Sequence, residues 1–325
     1  MCSVDHLDPF VSLKDVAEGH SVTLTVIVLT YNHERFVEEA LESVLAQRCD
    51  FEWEVIVADD ASTDLTRAIV HRFARGHAVI KVLPPEPNLG MQNNFRRALV
   101  AARGTFVALL EGDDYWSDPD KLKLQVAALQ RDSRIPAVGH LTSVQVVDES
   151  GLRIESTASF NHDFRGLTWL MLGDVLKGNF PHASSLVFRR EWLSTTPAWF
   201  DDLVAADSMI CALLARNGPL QVIPIRMSVY RKNSGSTWTP RPHLERKLES
   251  LRCIQALARH SDIPSRVLAP ALGKANITVA ALAAELGNRK MAASHLASAV
   301  YVAPGWTTRW LIDYIRRRRS YGEEE

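Results

Sequence analysis

A chain of 325 residues with 37 Lys and Arg against 38 Asp and Glu, a net charge of −1 and 46% hydrophobic side chains can bury a full core, and it carries no charge excess that would point to nucleic acid. The only block of like charge is local, "RRRR" at 316–319 followed by "EEE" at 323–325. Cys2, Cys49, Cys211 and Cys253 lie far apart without a CxxC pair, which sets aside a disulfide framework and a cysteine zinc site.

The first residues carry acids and no continuous apolar segment, so neither a secretory leader nor a membrane anchor is expected. No later run is expected to span a bilayer, and the expected compartment is the cytoplasm. From about 22 to 130, apolar runs of strand length alternate with helical periods, the pattern of βαβ units feeding a mainly parallel sheet. "VTLTVIVLT" (22–30) reads as the first strand, and Phe36, Val37, Ala40, Leu41, Val44 and Leu45 recur at helical spacing within 33–47. "WEVIVAD" (53–59) is the second strand, followed by a helix from a Ser62 or Thr63 cap to about Phe73. "AVIKVLP" (78–84), closed by "PPEPNLG", is the third. A helix over 91–102, Gly104 as its stop and "TFVALLE" (105–111) as the fourth strand come next. "SDPDKLKLQVAALQ" then opens a helix with Ser117 or Asp118 as cap and Pro119 in its first turn.

Beyond 135, "AVGHLTSVQVVD" and "LRIESTASF" flank "ESG" as a hairpin would, so the sheet is expected to become mixed. A helix over 166–177, a strand "SSLVFRR" (184–190), a helix over 205–217 and a strand "LQVIPIRMSVYR" (220–231) complete a domain of residues 22–238, after an N-terminal extension of residues 1–21. Residues 239–325 read as an all-helical extension. Within it, "ITVAALAAELGNRKMAASHLASAVYVAP" is an alanine-rich helical hairpin joined at "GN", resembling one unit of a tetratricopeptide-like array. A single unit cannot bury its own face, so this one is expected to pack on the main domain or a partner.

Ligands of open α/β sheets bind beyond the carboxyl ends of the strands. Three loops there are unusual: "TYNHE" (30–34), "ADDAST" (58–63) and "EGDDYW" (111–116). Converging carboxylates suit a hard divalent cation, Mg2+ or Mn2+, shared with substrate phosphates. No GxxxxGK[ST] and no GxGxxG follows the first strand, which argues against a P-loop enzyme and a nicotinamide dehydrogenase.

Five segments in order, "VIVLTYNHERFVEEALESVLAQ", "WEVIVADDAST", "NLGMQNNFRRAL", "GTFVALLEGDDYWSDPDKLKLQ" and "ADSMICALLARNGPLQVIPIRMSVYR", resemble the inverting family 2 glycosyltransferases of GT-A fold over residues 22–235. The resemblance implies a Rossmann-like, mostly parallel or mixed sheet flanked by helices. It makes Asp113 the sugar-nucleotide contact, Asp114 the metal ligand, and Asp60 the acceptor of a nucleobase N–H, typically of uracil. Thr30, Tyr31 and Glu34 would line the nucleoside pocket, and Asp207 would be the general base, with Asp201 and Asp202 as nearby substitutes. Trp116 beside Tyr115, His182 and Arg231 fall to the acceptor side, and Glu111 is left as a structural strand end. The implied partners are a nucleotide-sugar donor, a UDP-sugar in the family pattern, and a glycan or lipid-linked acceptor of bacterial cell-envelope polysaccharide synthesis.

Plainer readings stand beside these. Asp113 and Asp114 can cap the following helix, Asp60 and Asp207 suit first helical turns, and His182 can be an ordinary buried histidine. Trp306, Trp310 and Tyr314 recur every fourth residue beside the basic tail, as in a helix that touches the inner face of the cell membrane, although packing on the main domain gives the same spacing. The rival functions are a nucleotidyltransferase acting on sugar phosphates, which would normally carry a Gly- and Arg/Lys-rich loop after its first strand, and a non-catalytic scaffold of the same fold.

Overall fold

The computed structural model describes residues 22–140, 145–152, 168–178, 180–204, 207–233 and 241–310. Strands β1 (Leu24–Thr30), β2 (Trp53–Asp59), β3 (Ile80–Val82) and β4 (Phe106–Glu111) run parallel in the spatial order β3-β2-β1-β4. β1, β2 and β4 are buried along nearly their whole length, as strands covered on both faces must be. Their alternate residues feed two cores. Val26, Val28, Val55 and Val57 meet Leu41 and Val44 of helix α1 (Val37–Leu45) and Leu122 and Leu129 of α4 (Lys121–Arg131). Ile27, Ile56 and Leu109 meet Phe95 and Leu99 of α3 (Met91–Ala101) on the other side.

The second half turns the sheet mixed, as expected. β9 (Val187–Arg189) lies antiparallel between β4 and β6 (Ala137–His140). β10 (Leu220–Ile223) runs parallel to β6, and β8 (Trp169–Leu170) closes the edge. The expected strand over 220–231 is two strands, because Pro224 has no N–H to give a ladder. Its second part, β11 (Ser228–Arg231), leaves for a small sheet between β5 (Tyr115–Trp116) and β7 (Gln145–Val147). That crossing brings the chain back under the "EGDDYW" loop. The turn of the expected hairpin is formed at 148–152, where Asp148 Oδ1 accepts from Ser150 and Leu152 N–H, while its second arm lies outside the described residues.

Three helix starts differ from the sequence expectation. Helix α2 (Thr66–Gly76) begins after Asp64, whose Oδ1 accepts from Thr66 N–H, because Ser62 is engaged by Asp59. Pro119 precedes α4 rather than entering it, since Asp118 Oδ1 takes the Asp120 N–H and fixes a turn there. Helix α5 is short (Leu172–Leu176) because β8 occupies the residues before it. α6 spans Asp207–Ala215.

The last helices, α7 (His243–His260), α8 (Ser265–Glu285) and α9 (Arg289–Val302), are followed by a helical stretch over 304–310. Gly287, at φ +76°, and Asn288, whose side chain accepts from Met291 N–H, make the α8–α9 turn as read from "GN". Cys253, Ile254 and Leu257 of α7 and Leu268 and Ala271 of α8 share one core with Phe200, Met209 and Leu213, so these helices pack on the sheet assembly. α8 is long and apolar enough to cross a membrane by length and composition, which the sequence reading did not expect, but it lies packed between α7 and α9. Residues 1–21, Tyr314 and the basic tail fall outside the described residues.

Candidate active site

At the carboxyl end of β2 the two aspartates divide their work. Asp59 is a staple: Oδ1 accepts from Thr30 Oγ at 2.9 Å and from Ser62 Oγ, and Oδ2 accepts from Ser62 N–H at 3.0 Å. Asp60 instead lines a cavity, held there by its N–H on Thr30 O and by Leu89 N–H on Oδ1 at 2.7 Å. Asn32 and Ala61 both sit in the left-handed region, at φ +55° and +61°, a conformation that costs a side-chain-bearing residue about 1–2 kcal/mol. They are cross-braced by Thr63 N–H on Asn32 Oδ1 and Asn32 N–H on Ser62 Oγ. Tyr31, 44% exposed, lines the same cavity, and Thr30 is buried at its floor. Glu34 does not line it: its carboxylate accepts from Leu65 N–H at 2.8 Å and holds the loop before α2.

The "EGDDYW" loop can turn because Gly112 has no side chain; a Cβ there would meet Thr30 Cγ2 at 2.8 Å and His33 Nδ1 at 2.9 Å. Asp113 then faces the cavity, with Oδ2 accepting from Asn233 Nδ2 at 2.7 Å and Oδ1 lying 3.9 Å from His33 Nε2. Asp114 points inward and is 1% exposed. Its Oδ1 accepts from Arg231 N–H at 2.9 Å; its Oδ2 is fully buried, makes no hydrogen bond of normal geometry and lies 3.8 Å from His182 Nδ1.

Glu111 belongs to this group, which corrects its reading as a structural strand end. It lines the cavity, and ligand-capable atoms of Glu111, Asp114 and His182 lie within 4.8 Å of one another. Burial pushes the Glu111 carboxyl well above its ordinary range, and Asp207, Asp113 and Asp114 push further. Burial and then Asp113 raise Asp114 likewise, against the pull of the Arg231 N–H. An orphaned buried carboxylate oxygen, a second carboxylate and an imidazole are a donor set that fits Mg2+ or Mn2+.

Asp207 opens α6, faces the cavity and places Oδ2 at 3.9 Å from His182 Nε2. His182 thus stands between Asp114 and Asp207. It gets there because β9 is antiparallel to β4, so the turn preceding β9, Ala183–Ser185, lies at the carboxyl end of β4. Its Nδ1 accepts from Ser184 N–H at 3.3 Å, the ring packs 4.8 Å from Tyr230, and burial lowers its pKa. No spacing in the sequence signals this residue beyond its place in a short loop.

Two acceptor-side expectations are corrected. Trp116 is 4% exposed and turned into the core, with Nε1 donating to Ser184 O at 2.9 Å and Lys121 Nζ 4.2 Å above its ring. Arg231 lies behind the acids: Nε donates to Asp113 O at 3.1 Å, one terminal nitrogen to Glu39 Oε2 at 2.5 Å and the other to Asp148 O at 3.3 Å. It is a strut for the loop. Asp201, an alternative base, is paired with Arg96.

The cavity holds about 490 Å3, and the helical extension supplies part of its wall through His243, Arg246, Lys247 and Ser250 of α7 and Lys274 and Thr278 of α8. Sequence reasoning missed these. Their one signal is lysine in "ERKLES" and "LGKAN" on otherwise packed helices.

Residues 25–195 match the family model described as Glycosyl transferase family 2. An uncharacterized protein of Mycobacterium tuberculosis is 34% identical over 222 residues, 66% of this chain and 60% of that protein, so the match spans less than two thirds of that relative. The crystal structure of S. aureus TarS 1-349 in complex with UDP-GlcNAc is similar at a TM-score of 0.64 and 20% identity, covering 88% of this chain and 83% of that one. Mannosyltransferase PcManGT from Pyrobaculum calidifontis, in complex with GDP-Man and Mn2+, is similar at 0.57 and 21%, covering 92% and 83%. At these identities the two structures show a shared fold.

Proposed function

Because the chain belongs to glycosyl transferase family 2, we propose that it transfers a sugar, with inversion and with a divalent cation, from a nucleotide-diphosphate donor to a hydroxyl of a glycan or lipid-linked acceptor. The observation that carries this reading is the meeting of Asp60, Glu111, Asp113 and Asp207, from two strand ends and one helix start, around a single cavity beside the buried Asp114. The nucleotide-sugar ligands named for TarS and PcManGT support the donor class, and the Mn2+ named for the latter supports the cation. A UDP-sugar is the donor proposed here, with Asp60 accepting a base N–H and Tyr31 covering the ring. Residues 22–238 are taken as the catalytic body and 239–325 as an extension, of which α7 and α8 supply part of the cavity wall. The cytoplasm fits as the compartment, given the buried free thiol at Cys211.

Asp114, with Glu111 and His182, would hold Mg2+ or Mn2+, which when bound neutralises charge on the departing diphosphate. Asp113 is held toward the donor by Asn233 and, through its carbonyl, by Arg231. The chain's own chemistry lies with Asp207. Its carboxylate takes the proton of the acceptor hydroxyl as the new C–O bond forms at the anomeric carbon; the bond to the diphosphate oxygen breaks on the opposite face, and that oxygen leaves with the electron pair. His182 lies between the two acids, with Nδ1 3.8 Å from Asp114 Oδ2 and Nε2 3.9 Å from Asp207 Oδ2, so the ring spaces the base from the proposed cation group.

Incubation with a panel of nucleotide sugars, with Mn2+ or EDTA, tests the reading through release of the nucleoside diphosphate and mass analysis of products. Metal-dependent turnover of one UDP-sugar is expected. Turnover of none, with or without metal and with broad glycan acceptors, would overturn it.

A further inference from the structure

Four cations that no step above uses line the same cavity: Lys177 after α5, Arg246 and Lys247 on α7, and Lys274 on α8. They come from three elements distant in sequence, so charge patterning along one solvated helix does not account for their meeting. Among the described residues none of the four side chains pairs with a carboxylate, and their one recorded side-chain contact is Lys274 Nζ donating to Lys177 O at 2.6 Å. Arg246 Nε is fully buried without a hydrogen-bond partner. Burial and then Arg246 lower Lys247; burial, then Lys247 and Lys177, lower Lys274. Gathering like charges at a cavity wall costs free energy that an anion would recover.

The wall lies beside the proposed base. Val204, three residues before Asp207 and itself at the cavity, donates its N–H to Glu249 Oε1 of α7 at 2.8 Å, less than one turn beyond Arg246 and Lys247. In the reading above, a cation at Asp114 would supply the counter-charge of the donor diphosphate. Four positive charges exceed what a carboxylate needs and suit the several oxygens of a phosphate. We propose that Lys177, Arg246, Lys247 and Lys274 form a phosphate subsite on the acceptor side, so that the hydroxyl glycosylated belongs to a phosphate-bearing acceptor. This rests on the transferase reading above.

Calorimetry without metal, with inorganic phosphate and glycerol 3-phosphate as probes, tests the subsite, and titration of UDP with Mn2+ tests whether the cations serve the donor instead. The variant Lys247→Gln/Lys274→Gln should bind both phosphate probes about tenfold or more weakly than wild type. Lys247→Arg/Lys274→Arg should retain them within about threefold, which separates charge from folding. Affinity for UDP with Mn2+ should stay within about twofold throughout. Unchanged phosphate affinity in the Gln pair would overturn the proposal, and so would a parallel loss of UDP–Mn2+ affinity, which would assign the cations to the donor diphosphate. Wild-type chain that binds phosphate through these lysines yet turns over no donor would overturn the transferase reading while the anion subsite stands.

Discussion

Asp114→Asn removes one charge from the acid cluster while keeping the side chain's shape and, in the amide oxygen, an acceptor for the Arg231 N–H at 2.9 Å. Atoms of Glu111 and Asp114 lie within 4.8 Å, and at an effective dielectric of about 20 two unit charges at that separation repel by roughly 3.5 kcal/mol. Proton uptake by the cluster relieves part of this, so the metal-free variant should be more stable by about 1–3 kcal/mol near pH 8. For a chain of this size that is a rise in Tm of roughly 1.5–4.5 °C. The pH dependence follows from the direction of the shift: burial and Asp113 raise the folded Asp114 above its unfolded value, so the folded chain holds more protons in that interval. Wild type therefore loses stability as pH rises above about 4 through the raised value, and the variant, which keeps only the raised Glu111, loses less. Thermal unfolding in EDTA from about pH 4 to 8 should show the gap in Tm opening with pH. Added Mn2+ should raise the Tm of wild type and leave the variant nearly unmoved. A variant no more stable than wild type near pH 8, or one with an equal Mn2+ shift, would refute the reasoning.

Asp207→Asn should lower transfer by about 10²–10⁴ while affinity for the metal–nucleotide complex is kept, as single-turnover kinetics and titration would show. Trp116→Phe, which loses the Nε1 bond to Ser184 O, should cost about 1–2 kcal/mol in urea unfolding and leave the acceptor KM unchanged, as a core residue must. Glu54 is 3% exposed; burial raises its pKa, but Arg103, Lys81 and Thr25 bring it down to about 2. The stability it supplies is present above the ordinary glutamate value of about 4.3 and is lost as pH falls from there through about 2. Glu54→Gln should accordingly cost about 2 kcal/mol near neutrality, a gap that closes in acid unfolding toward pH 2.

The strand-end acids were legible because βαβ alternation is local: a run such as "VTLTVIVLT" or "TFVALLE" announces where a strand stops, and chemistry collects there. Facing was not legible. Trp116 and Arg231 lie on β5 and β11, short strands of a second sheet, and only that sheet's position under the loop turns one into the core and the other against Asp113 O and Glu39. Pro224, visible in "LQVIPIRM", marked the break between β10 and β11 but not the change of sheet.

The sequence by itself thus determined the order of elements, the two-sided burial of the first strands, and the candidacy of Asp60, Asp113, Asp114 and Asp207, all of which depend on neighbours within a few positions. Tertiary structure alone decided which acids share a cavity, that Glu111 and His182 join them, and that α7 and α8 bring a cationic wall to the same space. Those meetings join residues as far apart in sequence as Asp60 and Lys274. They are set by antiparallel insertion of β9 beside β4 and by docking of an apolar helical face, neither of which leaves a periodic trace at the residues that end up in contact.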